Sequence, residues 1–285
     1  MILIADSGST KTDWCLLDPA REPFYFTTQG FNPYFHREIT WTGTLADQIE
    51  QVGVKEISII YYYGAGCNTP GHIHLISETL HGLFNSIVVE VRDDLMGAAR
   101  ALWQDQPGII VILGTGTNTG IYDGSKIIRQ ITPMGYLLGD HGSGAVLGKR
   151  LLQSYFDHTL PDRLEKAFRD QYHPDTGHIK EVLYGKPGPN LFLAGFVPFL
   201  HAYREHPVIR QLLLLEFSNL FRYQIKSLCR DIISGVRMTG SVAYYFRDII
   251  REAGREFSIN VEQVEQYPIS ALANYHLKRL SSMSK

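Results

Sequence analysis

The sequence is poor in cysteine and has no long apolar run. Its 285 residues contain 3 cysteines, at Cys15, Cys67 and Cys229, and none of them forms a Cys-x-x-Cys pair. Scattered cysteines of odd number are typical of buried thiols in a reducing compartment, and they argue against a disulfide framework or a zinc site. No apolar stretch approaches the roughly 20 residues that a membrane-spanning helix needs. We therefore expect a cytoplasmic protein that does not use a membrane as a partner.

The sequence also lacks an excess of charge of either sign. Its 27 Lys and Arg stand against 29 Asp and Glu, for a formal net charge of -2. A protein that binds nucleic acid normally presents a basic excess to the phosphate backbone. The balance of charges therefore gives no reason to expect nucleic acid or an anionic membrane as a partner.

What the sequence does contain is a large apolar share arranged in alternating elements. The hydrophobic residues make up 44% of the chain, which is ample for a buried core in one large domain or two modest ones. Strands are predicted over residues 56–63 and 87–91, and each is followed by a predicted helix, over 73–84 and 95–103. Alternating strands and helices predict an α/β fold with a mostly parallel sheet.

Two glycine-containing turns each lie between two predicted strands. The first, Asp6-Ser7-Gly8-Ser9-Thr10-Lys11-Thr12, follows an apolar run, and the second, Gly114-Thr115-Gly116-Thr117-Asn118, follows the β-branched run 109–113. Strand, turn and strand is a hairpin pattern and not the strand-to-helix pattern of a Walker loop. Glycine lets the backbone approach a phosphate closely, and successive N–H groups then form a concave anion site. The repetition predicts two α/β units.

The second half of the chain is predicted to be largely helical. Helices are expected over 145–156, 209–233 and 270–280, and a short strand over 236–238 precedes Thr239-Gly240-Ser241. The stretch 173–188 contains several Pro and Gly residues and is predicted to be a loop.

These motifs resemble a known superfamily. Asp6-x-Gly8-x-Thr10-x-Thr12 resembles the first phosphate motif of the actin/hexokinase/Hsp70 ATPases, and Gly114–Asn118 resembles the second. Within that superfamily the sequence is most similar to the BadF/BadG/BcrA/BcrD ATPase family and its N-acetylglucosamine kinases. Their glycine-rich sugar segment resembles residues 135–144, where His141 stands in place of the usual Glu. The resemblance extends in order over nearly the whole chain.

The resemblance implies two actin-like, ribonuclease H-like lobes with a central cleft. The first lobe would span residues 1–112, joined by a C-terminal helix from 270 to 285, and the second would span 113–269. It also implies ATP and Mg²⁺ as cofactors. The residues matched to ATP-binding positions are Asp6, Gly8, Ser9, Thr10, Lys11, Thr12, Gly114, Thr115, Gly116, Thr117, Gly240 and Ser241. Asp6 would hold Mg²⁺ directly or through water, since Mg²⁺ usually takes one or two carboxylates and keeps several waters.

The resemblance also assigns a catalytic residue and a sugar site. Asp94 matches the general base that accepts a proton from the sugar hydroxyl, although Asp93 or Asp94 could equally cap the helix that follows. Asn32 matches a sugar-contacting asparagine, and a turn before Pro33 explains it about as well. The residues matched to the sugar site are Asn32, Asp94, Thr115, Asn118, Asp140, Ser143 and Gly144.

The implied activity is transfer of the γ-phosphate of ATP to a hydroxyl, expected to be the 6-OH, of N-acetylglucosamine or a related amino sugar. Glucosamine, N-acetylmannosamine and a muramic-type sugar remain alternatives. The family also includes ATPases that activate dehydratases or reductases through an iron–sulfur cluster, and a non-catalytic nucleotide or sugar sensor is a third alternative. Many relatives form homodimers, which the resemblance therefore also implies.

Overall fold

The computed structural model describes residues 1–18, 21–36, 38–54, 56–84, 88–229 and 235–283. The chain divides into two compact units. The first comprises Met1–Pro107, Tyr122–Ile127 and Tyr267–Lys285, and the second comprises Gly108–Ile121 and Ile128–Gln266. Within the described ranges, no helix is long and apolar enough to cross a membrane.

The first unit is built on a five-stranded sheet. Its strands are β1 (Ile2–Ser7), β2 (Lys11–Leu17), β3 (Phe24–Gln29), β4 (Ile59–Gly64) and β5 (Val88–Asp93), in the order β3-β2-β1-β4-β5. β1, β2 and β3 pair antiparallel, whereas β1, β4 and β5 run parallel. β1 lies at the centre of the sheet and is almost wholly buried. Its continuous apolar sequence is typical of a strand that is covered on both faces.

Among the described residues, four helices belong to the first unit. They are α1 (Thr42–Gln51), α2 (Pro70–Phe84), α3 (Asp94–Trp103) and α14 (Ile269–Met283). α14 returns from the end of the chain and packs against α3 and against β1 and β2. The core is aromatic at its centre, where Trp14 lies edge-on to Trp41 with ring centroids 5.4 Å apart. Aromatic rings bury large apolar areas, so this cluster anchors the sheet to α1.

The second unit contains a sheet with the same strand arrangement. Its strands are β6 (Gly108–Leu113), β7 (Thr117–Tyr122), β8 (Ile127–Gln130), β9 (Val236–Thr239) and β10 (Val261–Glu265), in the order β10-β9-β6-β7-β8. Written from the other edge, this order repeats the first sheet strand for strand. β9 pairs in parallel with β6 and with β10.

Helices dominate the rest of the second unit. They are α4 (Gly135–Leu138), α5 (Gly144–Phe156), α6 (Asp162–Tyr172), α7 (Thr176–Gly185), α8 (Pro189–Ala194), α9 (Val197–Ala202), α10 (Pro207–Leu220), a π-helical turn (Phe221–Ile225), α11 (Lys226–Leu228), α12 (Ser241–Tyr245) and α13 (Arg247–Glu256). The core between these helices and the sheet includes the fully buried Phe168, Phe199, Phe217 and Phe246.

Two sequence-based expectations for the second unit differ from the structure. The stretch 173–188 was expected to be a loop, but α7 occupies most of it. Asp175 explains this helix, because its side chain caps the first turn by accepting a hydrogen bond from the His178 N–H at 2.7 Å. The single helix expected over 209–233 is instead α10, a π-helical turn and α11, and residues 230–234 lie outside the described residues.

Candidate active site

The first glycine turn joins β1 to β2 and is closed by its own backbone. The Gly8 N–H donates to the Lys11 carbonyl at 2.9 Å, and the Gly30 N–H donates to the Thr10 carbonyl at 3.0 Å. A Cβ on Gly30 would come within 2.7 Å of the Thr10 carbonyl carbon. Only glycine therefore fits at position 30, where the chain packs closely against the backbone of the first turn. Sequence patterns did not single out Gly30, since only its long-range contact with the turn reveals its role.

Asp6 ends the apolar part of β1 and is the main charged group at this turn. Burial and the neighbouring Asp13 carboxylate raise the pKa of Asp6 to about 7, and Lys11 offsets part of the rise. Lys11 itself pairs with Asp13 at 2.8 Å and lies over the Tyr267 ring at 3.9 Å. A buried carboxylate whose negative charge is this poorly compensated is suited to binding a cation. Such a single carboxylate suits Mg²⁺, which fills its other positions with waters and phosphate oxygens.

The hydroxyl groups of the first turn divide into buried and accessible ones. Thr12 and Ser7 are fully buried and hydrogen bond to each other at 2.7 Å, and the Tyr62 hydroxyl donates to Ser7 at 2.8 Å. Thr10, in contrast, is exposed, and Ser9 is partly exposed. Thr12 therefore braces the turn from inside, which leaves Ser9 and Thr10 as the hydroxyls that a ligand can reach.

Asn32 is held in place by contacts within the first unit. Its amide donates to the Ser9 hydroxyl at 3.0 Å, and its carbonyl oxygen accepts from the Tyr34 N–H at 3.0 Å. The side chain is 7% exposed. Asn32 thus connects the first turn to the loop that follows β3, and both sequence-based explanations of this residue, as a turn former and as a ligand, fit that position.

The adjacent residues Asp93 and Asp94 have different structural roles. Asp93 is the N-cap of α3, and its side chain accepts from the Leu95 N–H at 2.9 Å. Asp94 is the first residue of the helix and is not needed as its cap. α3 lies close to β4 because Gly97 leaves room for Tyr63, whose Cβ would be 2.7 Å from a Cβ added to Gly97. The position of Asp94 is therefore set by the helix cap and by this close packing.

The second glycine turn joins β6 to β7 and supports the start of α5. The Gly114 N–H donates to the Gly116 carbonyl at 3.0 Å. The Gly114 and Thr115 carbonyls accept from the Gly144 and Ala145 N–H groups at 2.8 and 3.1 Å. Those first amides of α5 are therefore already satisfied, and they are not free to bind an anion.

Asp140 lies directly against the second turn. Its φ angle is +51°, an uncommon left-handed conformation for a residue other than glycine. A Cβ added to Gly116 would be 3.1 Å from the Asp140 Oδ2, and the Thr117 N–H donates to the carboxylate. Burial raises the pKa of Asp140 to about 6, and the Thr117 hydrogen bond limits that rise. The structure therefore brings Asp140 into contact with Gly116 and Thr117, which lie more than 20 residues before it in the sequence.

The remaining residues matched to the sugar site differ in accessibility. The Asn118 carbonyl oxygen accepts from the Gln130 side chain at 2.7 Å, and Asn118 stays partly exposed. Ser143 and Gly144 are buried, and the Ser143 hydroxyl caps α5 by accepting from the Val146 N–H at 3.3 Å. The structure thus gives Ser143 and Gly144 a role in supporting the glycine-rich segment.

Gly240 lies beside the second turn as well. It follows β9 with a φ angle of +110°, and a Cβ there would be 2.6 Å from the Leu113 carbonyl oxygen. Only glycine fits this close crossing of two backbones. Gly240, directly before the start of α12 at Ser241, therefore lies next to Gly114, and the two glycine motifs of the second unit are neighbours.

Comparisons with known proteins identify solved structures with the same fold. A scan against protein-family models found no match, and a search among curated proteins found none. A solved structure of a candidate N-acetylglucosamine kinase from Porphyromonas gingivalis is 36% identical, with a TM-score of 0.90 over 98% of this chain and 100% of that chain. A candidate N-acetylglucosamine kinase from Chromobacterium violaceum is 19% identical, with a TM-score of 0.75 over 96% of this chain and 98% of that one.

A more distant structure shares the fold alone. The ROK hexokinase from Thermus thermophilus is 17% identical, with a TM-score of 0.54 over 100% of this chain and 99% of that chain. Two five-stranded sheets of one strand order agree with the actin-like fold of these proteins. The full-length match at 36% identity shows that the chain belongs to the N-acetylglucosamine kinase-like group of the BadF/BadG/BcrA/BcrD ATPase family, within the actin/hexokinase/Hsp70 superfamily.

Proposed function

We propose that the protein is an ATP-dependent sugar kinase that phosphorylates a hydroxyl, the 6-OH by family resemblance, of N-acetylglucosamine or a close relative. The observation that carries this proposal is the difference in position between Asp93 and Asp94. Asp93 caps α3, and Asp94, the first residue of that helix, is the proposed general base. The full-length similarity to a candidate N-acetylglucosamine kinase supports the sugar class.

In this proposal the first unit supplies the base and the metal ligand. The Asp94 carboxylate accepts the hydroxyl proton as the sugar oxygen attacks the γ-phosphorus, which is worth about 10²–10⁴-fold in rate. Backbone amides and the Ser9 and Thr10 hydroxyls hold phosphate oxygens. Asp6 is the proposed ligand of Mg²⁺, which neutralises phosphate charge when it is bound.

The second unit supplies further contacts. The second turn, with Gly114, Thr115 and Gly116, binds phosphate, and Gly240 and Ser241 bind the adenosine part of ATP. Asp140 and Asn118 bind vicinal sugar hydroxyls, because a carboxylate and an amide can each form paired hydrogen bonds. A first lobe of residues 1–112 with 270–285, a second lobe of residues 113–269, a cytoplasmic location and a homodimer remain parts of the proposal.

The thiols favour a kinase over a cluster-bearing activator. Cys15 and Cys67 are buried, and burial raises the thiol pKa of Cys15 to about 11 and that of Cys67 to about 12. Iron–sulfur clusters bind thiolates, and burial of this kind disfavours the thiolate form. A non-catalytic sensor remains the second candidate, and the His141 substitution in the sugar segment is the feature that favours it.

A coupled ADP-release assay over a panel of hexoses and amino sugars tests the proposal. We expect ADP release that depends on N-acetylglucosamine or a related amino sugar, and its loss in Asp94→Asn. Sugar binding without ADP release would favour the sensor. Equal ADP release with and without every sugar would contradict the kinase.

A further inference from the structure

The glycine-rich segment over residues 139–144 rests on one face of α10. Gly142 has a φ angle of +77°, and a Cβ there would be 3.3 Å from side-chain atoms of both Phe217 and Leu220. The Thr117 hydroxyl donates to the His141 carbonyl at 3.2 Å from the other side. The backbone around His141 is thus held between β7 and α10. Because His141 directly follows Asp140, contacts of the His141 side chain also constrain the position of Asp140.

The π-helical turn places two side chains against this region. The Tyr223 ring packs on the His141 ring, with centroids 5.0 Å apart and an interplanar angle of 34°. The neighbouring Gln224 is buried, and its carbonyl oxygen accepts from the Thr119 hydroxyl of β7 at 2.9 Å. A single π-helical turn is rare and is frequently found at functional sites. Here the turn directs Tyr223 to His141 and anchors itself to β7.

Glu216 lies on α10, seven residues before Tyr223, and only one of its carboxylate oxygens has a hydrogen-bond donor. Its side chain is 1% exposed, and its Oε1 accepts from the Arg150 Nε at 2.8 Å. Its Oε2 is buried and has no hydrogen-bond partner among the described residues. Arg150 therefore ties α10 to α5 beside the glycine-rich segment.

Charged groups of α10 and α5 affect the pKa of His141. Burial lowers that pKa, Glu216 raises it, and Lys149 and Arg150 of α5 lower it further. Lys149 also donates to the Tyr136 carbonyl at 2.8 Å, and burial lowers its own pKa. The ring that packs on His141 is that of Tyr223.

We propose that Tyr223 is a positioning residue that acts through its ring contact with His141 to hold Asp140 in its sugar-binding conformation. This inference rests on the proposed function, because Asp140 is a sugar ligand only there. It assigns to the histidine at the unusual position of the glycine-rich segment a partner elsewhere in the chain.

The contact with Tyr223 is tested by comparing Tyr223→Ala with Tyr223→Phe. An aromatic pair is worth about two- to tenfold in an equilibrium constant. We expect Tyr223→Ala to raise the sugar KM by that factor with little change in kcat, and Tyr223→Phe to restore it. Tyr184→Ala is a matched control, since Tyr184 is 86% exposed on α7. A fall in Tm for Tyr223→Ala with an unchanged sugar KM would overturn the positioning role.

The ring contact is also tested by histidine NMR. His141→Gln identifies the His141 signal among the 11 histidines. We expect the ring signals of His141 to shift in Tyr223→Ala, because the neighbouring ring is removed, and to stay in place in Tyr184→Ala. Unmoved His141 signals in Tyr223→Ala would refute the contact. A wild-type protein without kinase activity would refute the proposed function instead, and calorimetric sugar binding by Tyr223→Ala would still test the role of Tyr223.

Discussion

The two glycine turns occupy matching places in two sheets of one strand order, yet they differ in charge. The first turn combines Asp6, Lys11 and the neighbouring Asp13 within a few residues. The second turn contains only Gly, Thr and Asn, and its nearby carboxylate, Asp140, comes from a segment over 20 residues further along the chain. The two turns therefore share a topology but not a charge distribution. This difference suits the proposed roles, in which the first turn binds the metal and the second provides hydrogen bonds.

The units also differ in the connections between equivalent strands. In the first unit the connection before β4 contains one helix, α1. In the second unit the equivalent connection before β9 contains α4 to α11 and the π-helical turn. Of these added elements, α10 and the π-helical turn pack against the segment that carries Asp140. The second unit therefore uses added helices to hold a site residue, whereas the first holds its site residues with its sheet, its turns and α3.

The largest effect is expected at the two adjacent aspartates of the first unit. Asp94→Asn keeps the side-chain shape but cannot accept the hydroxyl proton, so kcat should fall by about 10²–10⁴-fold with sugar affinity retained. Asp93→Ala should instead cost about 1 kcal/mol of stability through loss of the helix cap, with a much smaller change in kcat. Steady-state kinetics and thermal unfolding of both variants measure this contrast. A near-normal kcat in Asp94→Asn would remove the general-base assignment.

The next effect concerns the charge of the first turn. Asp6→Asn removes the proposed Mg²⁺ ligand, so Mg²⁺-dependent ATP binding and turnover should both weaken strongly. Calorimetry with ATP, in the presence and absence of Mg²⁺, measures the change. Asp170→Asn is the control, because Asp170 is an exposed partner of Lys166 on α6. If Asp6→Asn bound MgATP like the wild type, the metal assignment would fail.

The hydrogen-bonding role of the second unit predicts a different kinetic pattern. Asp140→Asn should raise the sugar KM by roughly ten- to a hundredfold, because loss of a charged hydrogen bond costs about 1.5–3 kcal/mol. The effect on kcat should be smaller, since Asp140 contacts the sugar in the ground and transition states alike. A drop in kcat with an unchanged KM would contradict this role.

Gly116→Ala provides an independent test of the same contact. The new methyl group would be 3.1 Å from the Asp140 Oδ2, so the carboxylate must shift and the sugar KM should rise. Gly43→Ala is the matched control, because nothing lies within 4 Å of a Cβ at Gly43. An unchanged sugar KM in Gly116→Ala would separate Asp140 from the sugar site.

The smallest expected effect is on stability against pH. The pKa of Asp140 is raised from 3.8 to about 6 in the folded protein, so the folded state binds this proton more tightly than the unfolded state does. This tighter proton binding adds to the free energy of unfolding. The contribution is fully present below about pH 3.8 and is lost as the pH rises through about 6. The amide side chain that Asp140→Asn introduces cannot ionise. Without ligand, the Tm of this variant minus the Tm of the wild type should therefore increase from pH 4 to pH 7. A Tm difference that stays constant over that range would show that the carboxyl does not titrate in this way.

The parts of the molecule that sequence patterns predict are those with local causes. β1, β6 and the two turns follow from apolar runs that end at glycines. The stretch 173–188 misled because Pro and Gly suggested a loop, while Asp175 supplies the cap for α7. The left-handed conformation of Asp140 could not be predicted, since it depends on Gly116 and Thr117 across the fold. The His141–Tyr223 contact was equally hidden, because a π-helical turn leaves no periodicity to detect.

The most direct test of the central claim is the stoichiometry of phosphate transfer. The wild-type protein is incubated with ATP, Mg²⁺ and each amino sugar of the panel, and the products are measured by ³¹P NMR and mass spectrometry. The account predicts one phosphorylated sugar for each ADP formed, with N-acetylglucosamine or a close relative as the acceptor, and almost none from Asp94→Asn. ADP formed together with free phosphate, and no phosphorylated sugar from any member of the panel, would contradict it.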